Sequence, residues 1–219
     1  MSYGFTVEVR GMYACFTRPE LKVERVSYEV MTPSAARGLL EAVFWKPQIK
    51  YVIDEIAVCA PIKFENIRRN EVKNKMSHLS VDTAAKQLAQ GALYTAVADD
   101  RTQRAAMVLR DVHYVIKAHF DLTEKAMAED TPGKYTSIIQ RRLQKGQCFH
   151  MPYLGVREFP AQVSLLEEGG GYVPQPITRP LGLMFYDFDY THAGAFVPTY
   201  FMAALDNGVM DLRNVEVMQ

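Results

Sequence analysis

Cysteine is scarce in this chain: Cys15, Cys59 and Cys148 are three isolated residues among 219, with no CxxC pair and no histidine at ligand spacing. That argues against a disulfide framework and a structural zinc site, and it fits a reducing compartment, so a cytoplasmic location is expected. Net charge is missing too, because 25 basic and 25 acidic residues cancel. Attraction to nucleic acid must therefore come from local clustering. No apolar run reaches the 18 residues of a membrane span, and the opening MSYGFTVEVRGM has neither a basic n-region nor an apolar h-region. Neither a membrane anchor nor an export signal is expected. No GKS, GKT or GxGxxG context surrounds Gly169, Gly170 and Gly171, which read as a hairpin turn. Asp187 and Asp189 stand close together without a third ligand nearby, so neither a metal nor a cofactor is expected. Internal repeats and low-complexity tracts are absent as well.

What is present is an ordinary globular composition, 48% hydrophobic and 11% aromatic, in a chain long enough for one large or two small domains. Phe5, Val7 and Val9 alternate with polar residues, the period of a strand with one buried face. Thr32-Pro33 then announces a helix whose Ala36, Leu39, Leu40 and Val43 share a face, ending before Pro47. Lys50 to Val58 reads as a second strand, with Ile62 to Ile67 pairing back against it. Between Arg68 and Arg104 the periodicity fails. A basic run (Arg68, Arg69, Lys73, Lys75) gives way to small and polar residues, which reads either as a mobile insertion or hairpin arm ordered by a partner, or as a solvated loop. Alternation returns from Val112 to Leu122, and further strands are expected over Glu158 to Leu166, Leu183 to Tyr190, Phe201 to Leu205 and Val209 to Leu212.

Two stretches are candidates to carry chemistry. On the Val112 to Leu122 strand, His113, Lys117 and His119 project from one side, placed either to line an RNA surface or to supply an acid–base group, the alternative being an exposed polar face that does neither. From Lys134 to Arg157 the chain holds Lys134, Arg141, Arg142, Lys145 and Arg157 with no Asp or Glu. Pro132-Gly133 opens a short helix there, with Ile138, Ile139 and Leu143 at helical spacing, closed by Lys145-Gly146. Lys134 and Tyr135 thus sit at a helix N-terminus, where free N–H groups and the helix dipole favour a phosphate. The alternative is a solvated basic face. Interleaved Tyr135, Phe149, His150 and Tyr153 fit a surface that stacks bases while tracking a backbone.

The order strand, helix, strand, strand-rich insertion, strand, helix, strand fits a ferredoxin-like (RRM-like) βαββαβ domain, an α+β fold whose helix-free face is where RNA-recognition modules bind single strands. Particular strings add to the pattern: GMYACFTRPE (11–20), VERVSY (23–28), MTPSAARG (31–38), WKP (45–47), NIRRNE (66–71) and GQCFHMPYLG (146–155). Over about residues 4 to 210 the chain resembles the CRISPR-associated Cas five family of the RAMP superfamily, in its type I-C (Dvulg) branch. The resemblance implies a ferredoxin-like RAMP domain over 1–155, with the insertion 68–104, and a smaller β-rich part over 156–219. It implies a metal-independent endoribonuclease that cuts CRISPR precursor RNA at the repeat hairpin by 2′-OH attack and stays on the guide RNA 5′ handle. Its partners are then other Cascade subunits and, through the complex, double-stranded DNA. The alternative is a non-catalytic RNA-binding assembly subunit of the same complex.

Members of this branch typically use a tyrosine at the end of the first helix and a Lys-His pair before the second. Those positions here are Phe44, Lys134 and Tyr135, of which only the lysine matches. Two substitutes for the missing proton-transfer group are open: Tyr135 itself, with a lowered pKa, or His119 or His150 reaching in from a neighbouring strand or loop. The residues expected to bind RNA are Lys22, Arg25, Arg68, Arg69, His113, Lys117, Arg141, Arg142 and Lys145.

Overall fold

The computed structural model describes residues 4–74, 82, 96–167, 170–190 and 196–219. Strands β1 (Phe5–Ala14), β2 (Ile49–Val58), β4 (Arg101–Leu122), β5 (Gln162–Leu165) and β8 (Val209–Asp211) run in the order β5-β1-β4-β2-β8, and β3 (Phe64–Val72) pairs with β4. The pairings of β1 with β4 and β5, and of β2 with β4 and β8, are antiparallel. A separate hairpin joins β6 (Arg179–Asp189) to β7 (Val197–Leu205). The architecture is therefore mixed helix and strand around a mainly antiparallel sheet.

Helices α1 (Pro33–Val43) and α2 (Pro132–Gln144) have the caps that their sequences announce. Thr32 Oγ1 accepts from the Ala35 N–H at 3.3 Å, and Thr131 Oγ1 from the Lys134 N–H at 3.4 Å, each followed by proline. One stripe of each helix is buried: Ala36, Leu39, Leu40 and Val43 of α1, and Tyr135, Ile139 and Leu143 of α2. On the sheet, Val7 and Val9 are opposite Ile116 and Tyr114 and are fully buried with Ile56, which places the core on this face. Fully burying each such aliphatic side chain contributes about 1.5–3 kcal/mol.

Three expectations need correction. The strand after β2 pairs with β4 rather than β2, because β2 ends at Val58 opposite Tyr114 and leaves that edge of β4 open, where the Arg110 N–H donates to Lys63. Strand β4 begins at Arg101, well before Val112. The strand expected over Glu158 to Leu166 is shorter, Gln162–Leu165, and it extends the large sheet beside β1, as β8 does beside β2.

The chain divides into two compact units, one of residues 1–65 with 107–219, the other of residues 66–106. In the second, Arg104 is paired with Glu71 at 3.1 Å, and Asn74 is hydrogen-bonded to Asp100 through both its backbone and its side chain. The part of the 68–104 insertion at 75–81 and 83–95, including Lys75, lies outside the described residues, as does Gly169 of the glycine triplet.

Candidate functional site

The start of α2 gathers the residues expected to do chemistry around one that sequence reasoning missed. Asp130 lies just before the Thr131 cap and is 8% exposed. Its Oδ1 accepts from Tyr135 Oη at 2.6 Å and from Lys134 Nζ at 3.1 Å, and its Oδ2 accepts from the Met127 N–H at 3.1 Å. These donors, the Tyr135 hydroxyl foremost, hold the Asp130 pKa down at about 2. Tyr135 is pushed the other way, up to about 12, by burial and then by the carboxylate that its hydroxyl serves. The expectation of a lowered Tyr135 pKa is thus reversed: at neutral pH the phenol is a committed donor. A signal was available in the sequence, since Asp130 and Lys134 stand at i,i+4 across the cap, the spacing at which opposite charges meet.

Phe44 caps α1 and is buried against Tyr135, with ring centroids 6.0 Å apart, while Phe120 meets Tyr135 edge-on at 6.3 Å. The Arg142 guanidinium lies 5.2 Å from the Phe44 ring, and its Nη1 donates to the Val43 carbonyl at 2.7 Å. Phe44 is therefore a packing residue that ties the end of α1 to α2. Lys134 is the polar group of this set that reaches solvent, with 45% of its side chain exposed and its Nζ 5.5 Å from the Tyr135 ring centre.

His119 is not in this group. Phe120 meets Tyr135, and a strand turns successive side chains to opposite faces, so His119 points to the other side of the sheet. There its Nδ1 lies 2.9 Å from Asp54, on an open cleft of about 620 Å³ that Lys117, Glu55 and Arg213 also line. The same face pairs His113 with Glu8 at 2.8 Å, Lys117 with Glu55 at 2.8 Å and Arg213 with Glu55 at 3.1 Å. The hydrogen bond from Arg10 holds the Glu8 carboxyl below its usual range, and the bond to Glu55 raises the Lys117 pKa. His113, Lys117 and His119 thus face carboxylates from neighbouring strands, and this face offers less positive charge than its sequence suggests.

Further positive charge lies elsewhere. Arg141 and Lys145, at the end of α2, are exposed and, among the described residues, carry no ion pair. Lys22 and Arg25 fall in the turn after β1, Lys22 exposed and Arg25 half-buried, and the Arg25 carbonyl accepts from the Met107 N–H at 2.8 Å. Arg68 and Arg69 alternate along β3 in the second unit, Arg68 exposed and Arg69 half-buried. Asp187 is engaged by Arg37 through two hydrogen bonds of 2.8 and 2.9 Å. Among the described residues no three His, Cys, Asp or Glu side chains converge as a metal site requires.

The fold and site together define an α+β protein, mainly antiparallel, with a tethered lysine at the exposed start of a sheet-packed helix. Residues 4–214 match the family model described as CRISPR-associated protein (Cas_Cas5), and the chain belongs to that family. It is 48% identical over 220 residues to the CRISPR pre-crRNA endoribonuclease Cas5d of Mannheimia succiniciproducens, covering 97% of this chain and 96% of that protein. The enzyme of the same name from Thermus thermophilus is 45% identical over 185 residues, 84% of this chain and 72% of that one. A crystal structure of a CRISPR-associated protein superposes with a TM-score of 0.70 at 24% identity, covering all of this chain and 97% of that one, a likeness of fold.

Proposed function

We propose that this chain is a metal-independent endoribonuclease that cuts CRISPR precursor RNA at the repeat hairpin, then stays on the 5′ handle of the guide RNA as a Cascade subunit. The observation that carries this reading is the 48% identity to a pre-crRNA endoribonuclease through nearly the whole of both chains. Within it, the strand order β5-β1-β4-β2 and its antiparallel pairings support a ferredoxin-like βαββαβ domain. We draw that domain's end at β5 rather than at residue 155, since β5 supplies its fourth strand, and take residues 66–106 as the inserted arm.

In the reaction the ribose 2′-oxygen bonds to the adjacent phosphorus, the bond from phosphorus to the 5′-oxygen breaks, and the products are a 2′,3′-cyclic phosphate and a 5′-OH. The 2′-OH proton leaves, and the departing 5′-oxygen takes one up. Lys134 is the residue we assign to the phosphate. Its ammonium extends from the first turn of α2, where the helix dipole also favours negative charge, and it can both stabilise the phosphorane and protonate the leaving oxygen. Asp130 and Tyr135 are positioning residues that hold the lysine at this terminus.

A second reading, a non-catalytic subunit that only holds RNA, is favoured by one observation: Phe44 has no hydroxyl and that of Tyr135 is committed to Asp130. Lys134→Ala separates the two. On the nuclease reading the variant loses cleavage by 10²-fold or more, roughly what a positioned charge or acid–base group supplies, and keeps its affinity for repeat RNA within a few-fold. Equal loss of binding and cleavage removes Lys134 from the chemistry.

A further inference from the structure

Between the outer face of α1 and the 149–157 loop lies an open groove of about 740 Å³, lined by Trp45, Phe149, His150, Met151, Tyr153 and Arg157 among others. That volume is within the range of small-ligand sites. Large apolar side chains are normally withdrawn from water, yet here Trp45 is 55% exposed, Phe149 73% and Met151 68%.

The loop that carries Phe149 is pinned to α1. The Phe149 and His150 N–H groups both donate to the Ala42 carbonyl, at 2.9 and 3.0 Å, and the two rings meet edge-on at 4.4 Å. Behind them Leu154 is fully buried and its carbonyl accepts from the Cys15 N–H at 3.0 Å. Gly155 has φ +82°, and a Cβ there would meet the Cys15 carbonyl oxygen at 2.0 Å, so the loop lies against β1 more closely than any side chain at 155 allows.

The charge of the groove selects its occupant. Arg157 lines it and, among the described residues, carries no ion pair, whereas the one acid that lines it, Glu41, is held by Arg37 at 2.5 Å. Exposed rings beside such a guanidinium suit a polymer with flat bases and an anionic backbone.

We propose that this groove is a base-stacking site for unpaired RNA, taking nucleotides that flank the repeat hairpin between Trp45 and Phe149 while Arg157 meets a phosphate. The proposal rests on the function proposed above and adds to it where the single-stranded part of the substrate goes. Trp45 joins the two sites: it follows Phe44, which packs on Tyr135.

Trp45 is the chain's single tryptophan, so its emission reports on this groove. The full-length protein is titrated with repeat hairpin RNA made uncleavable by a 2′-deoxy substitution at the cut site, either with unpaired flanks or trimmed to a blunt stem. Anisotropy of a label on the RNA measures binding independently. The expected result is quenching of Trp45 by the flanked RNA and not by the blunt stem. Phe149→Ala should weaken the flanked RNA about tenfold, in the range of one lost stacking contact, and the blunt stem less than twofold, while Phe149→Tyr keeps wild-type affinity.

Flanked RNA that saturates the anisotropy signal without changing Trp45 emission overturns the stacking site and leaves the nuclease reading standing. So does Trp45 emission that responds only to other subunits of the complex, which assigns the groove to a protein partner. No anisotropy change with either RNA overturns the function reading, and this proposal with it.

Discussion

Asp130 receives two side chains on a single oxygen, and that arrangement sets the protonation of its neighbours. For Tyr135 the folded pKa of about 12 lies above the ordinary 10, so the stability linked to this phenol is complete below pH 10 and is lost as pH rises from 10 toward 12. For Asp130 the sign is opposite: its folded pKa of about 2 lies below the ordinary 3.8, so its contribution is complete above about pH 4 and is lost as pH falls toward 2. Tyr135→Phe should therefore leave the shape of the pH–rate profile between pH 6 and 9 unchanged and remove part of the alkaline loss of stability, measured as urea midpoints at pH 9 and pH 11. A profile whose basic limb disappears in the variant would show that the phenol titrates during catalysis after all. Lys134 and the Phe44 departure were legible as residue types. The carboxylate that organises them was not, because Asp130 precedes the Thr131-Pro132 start signal and meets Lys134 and Tyr135 only once the first turn of the helix has formed.

Helix α2 is the element on which the site depends, and its first turn is fixed by the Thr131 cap and Pro132. Thr131→Ala should destabilise the protein by about 1 kcal/mol and lower cleavage more than binding, because the cap sets where Lys134 begins. Denaturant unfolding beside single-turnover cleavage checks this, and equal loss of cleavage and binding would contradict it. Both helices could be read from the sequence because each carries its own start signal, Thr-Pro, and one apolar stripe that the core demands. Strands β3 and β4 were read less well. The first six residues of β4, Arg101 to Ala106, belong to the second unit, and among the described residues no core side chain lies between Val58 and Val108, so no buried face imposed a period there. The pairing of His119 with Asp54 and of His113 with Glu8 was hidden for another reason. The partners are 65 and 105 residues apart, and only strand register brings them side by side.

The whole molecule is neutral, so its attraction for RNA depends on where charge goes unanswered. The open face of the sheet is largely compensated, whereas Arg141 and Lys145 at the end of α2 carry no ion pair among the described residues. Each phosphate contact to single-stranded nucleic acid contributes about 0.7 to the slope of log affinity against log salt, so Arg141→Ala with Lys145→Ala should shallow that slope by about 1.5. Lys117→Ala, which removes a cation already paired with Glu55, should change it far less, and the reverse ranking would return the RNA to the sheet face. Above both sites stands the reaction itself. Its most direct measurement incubates the purified protein with labelled repeat RNA from its own locus in excess EDTA, beside the same RNA carrying a 2′-deoxy substitution at the cut site. Cleavage of the ribose substrate alone, leaving a 2′,3′-cyclic phosphate, is the predicted result; tight binding with neither RNA cut would contradict it and leave a subunit that holds a guide RNA made by another enzyme.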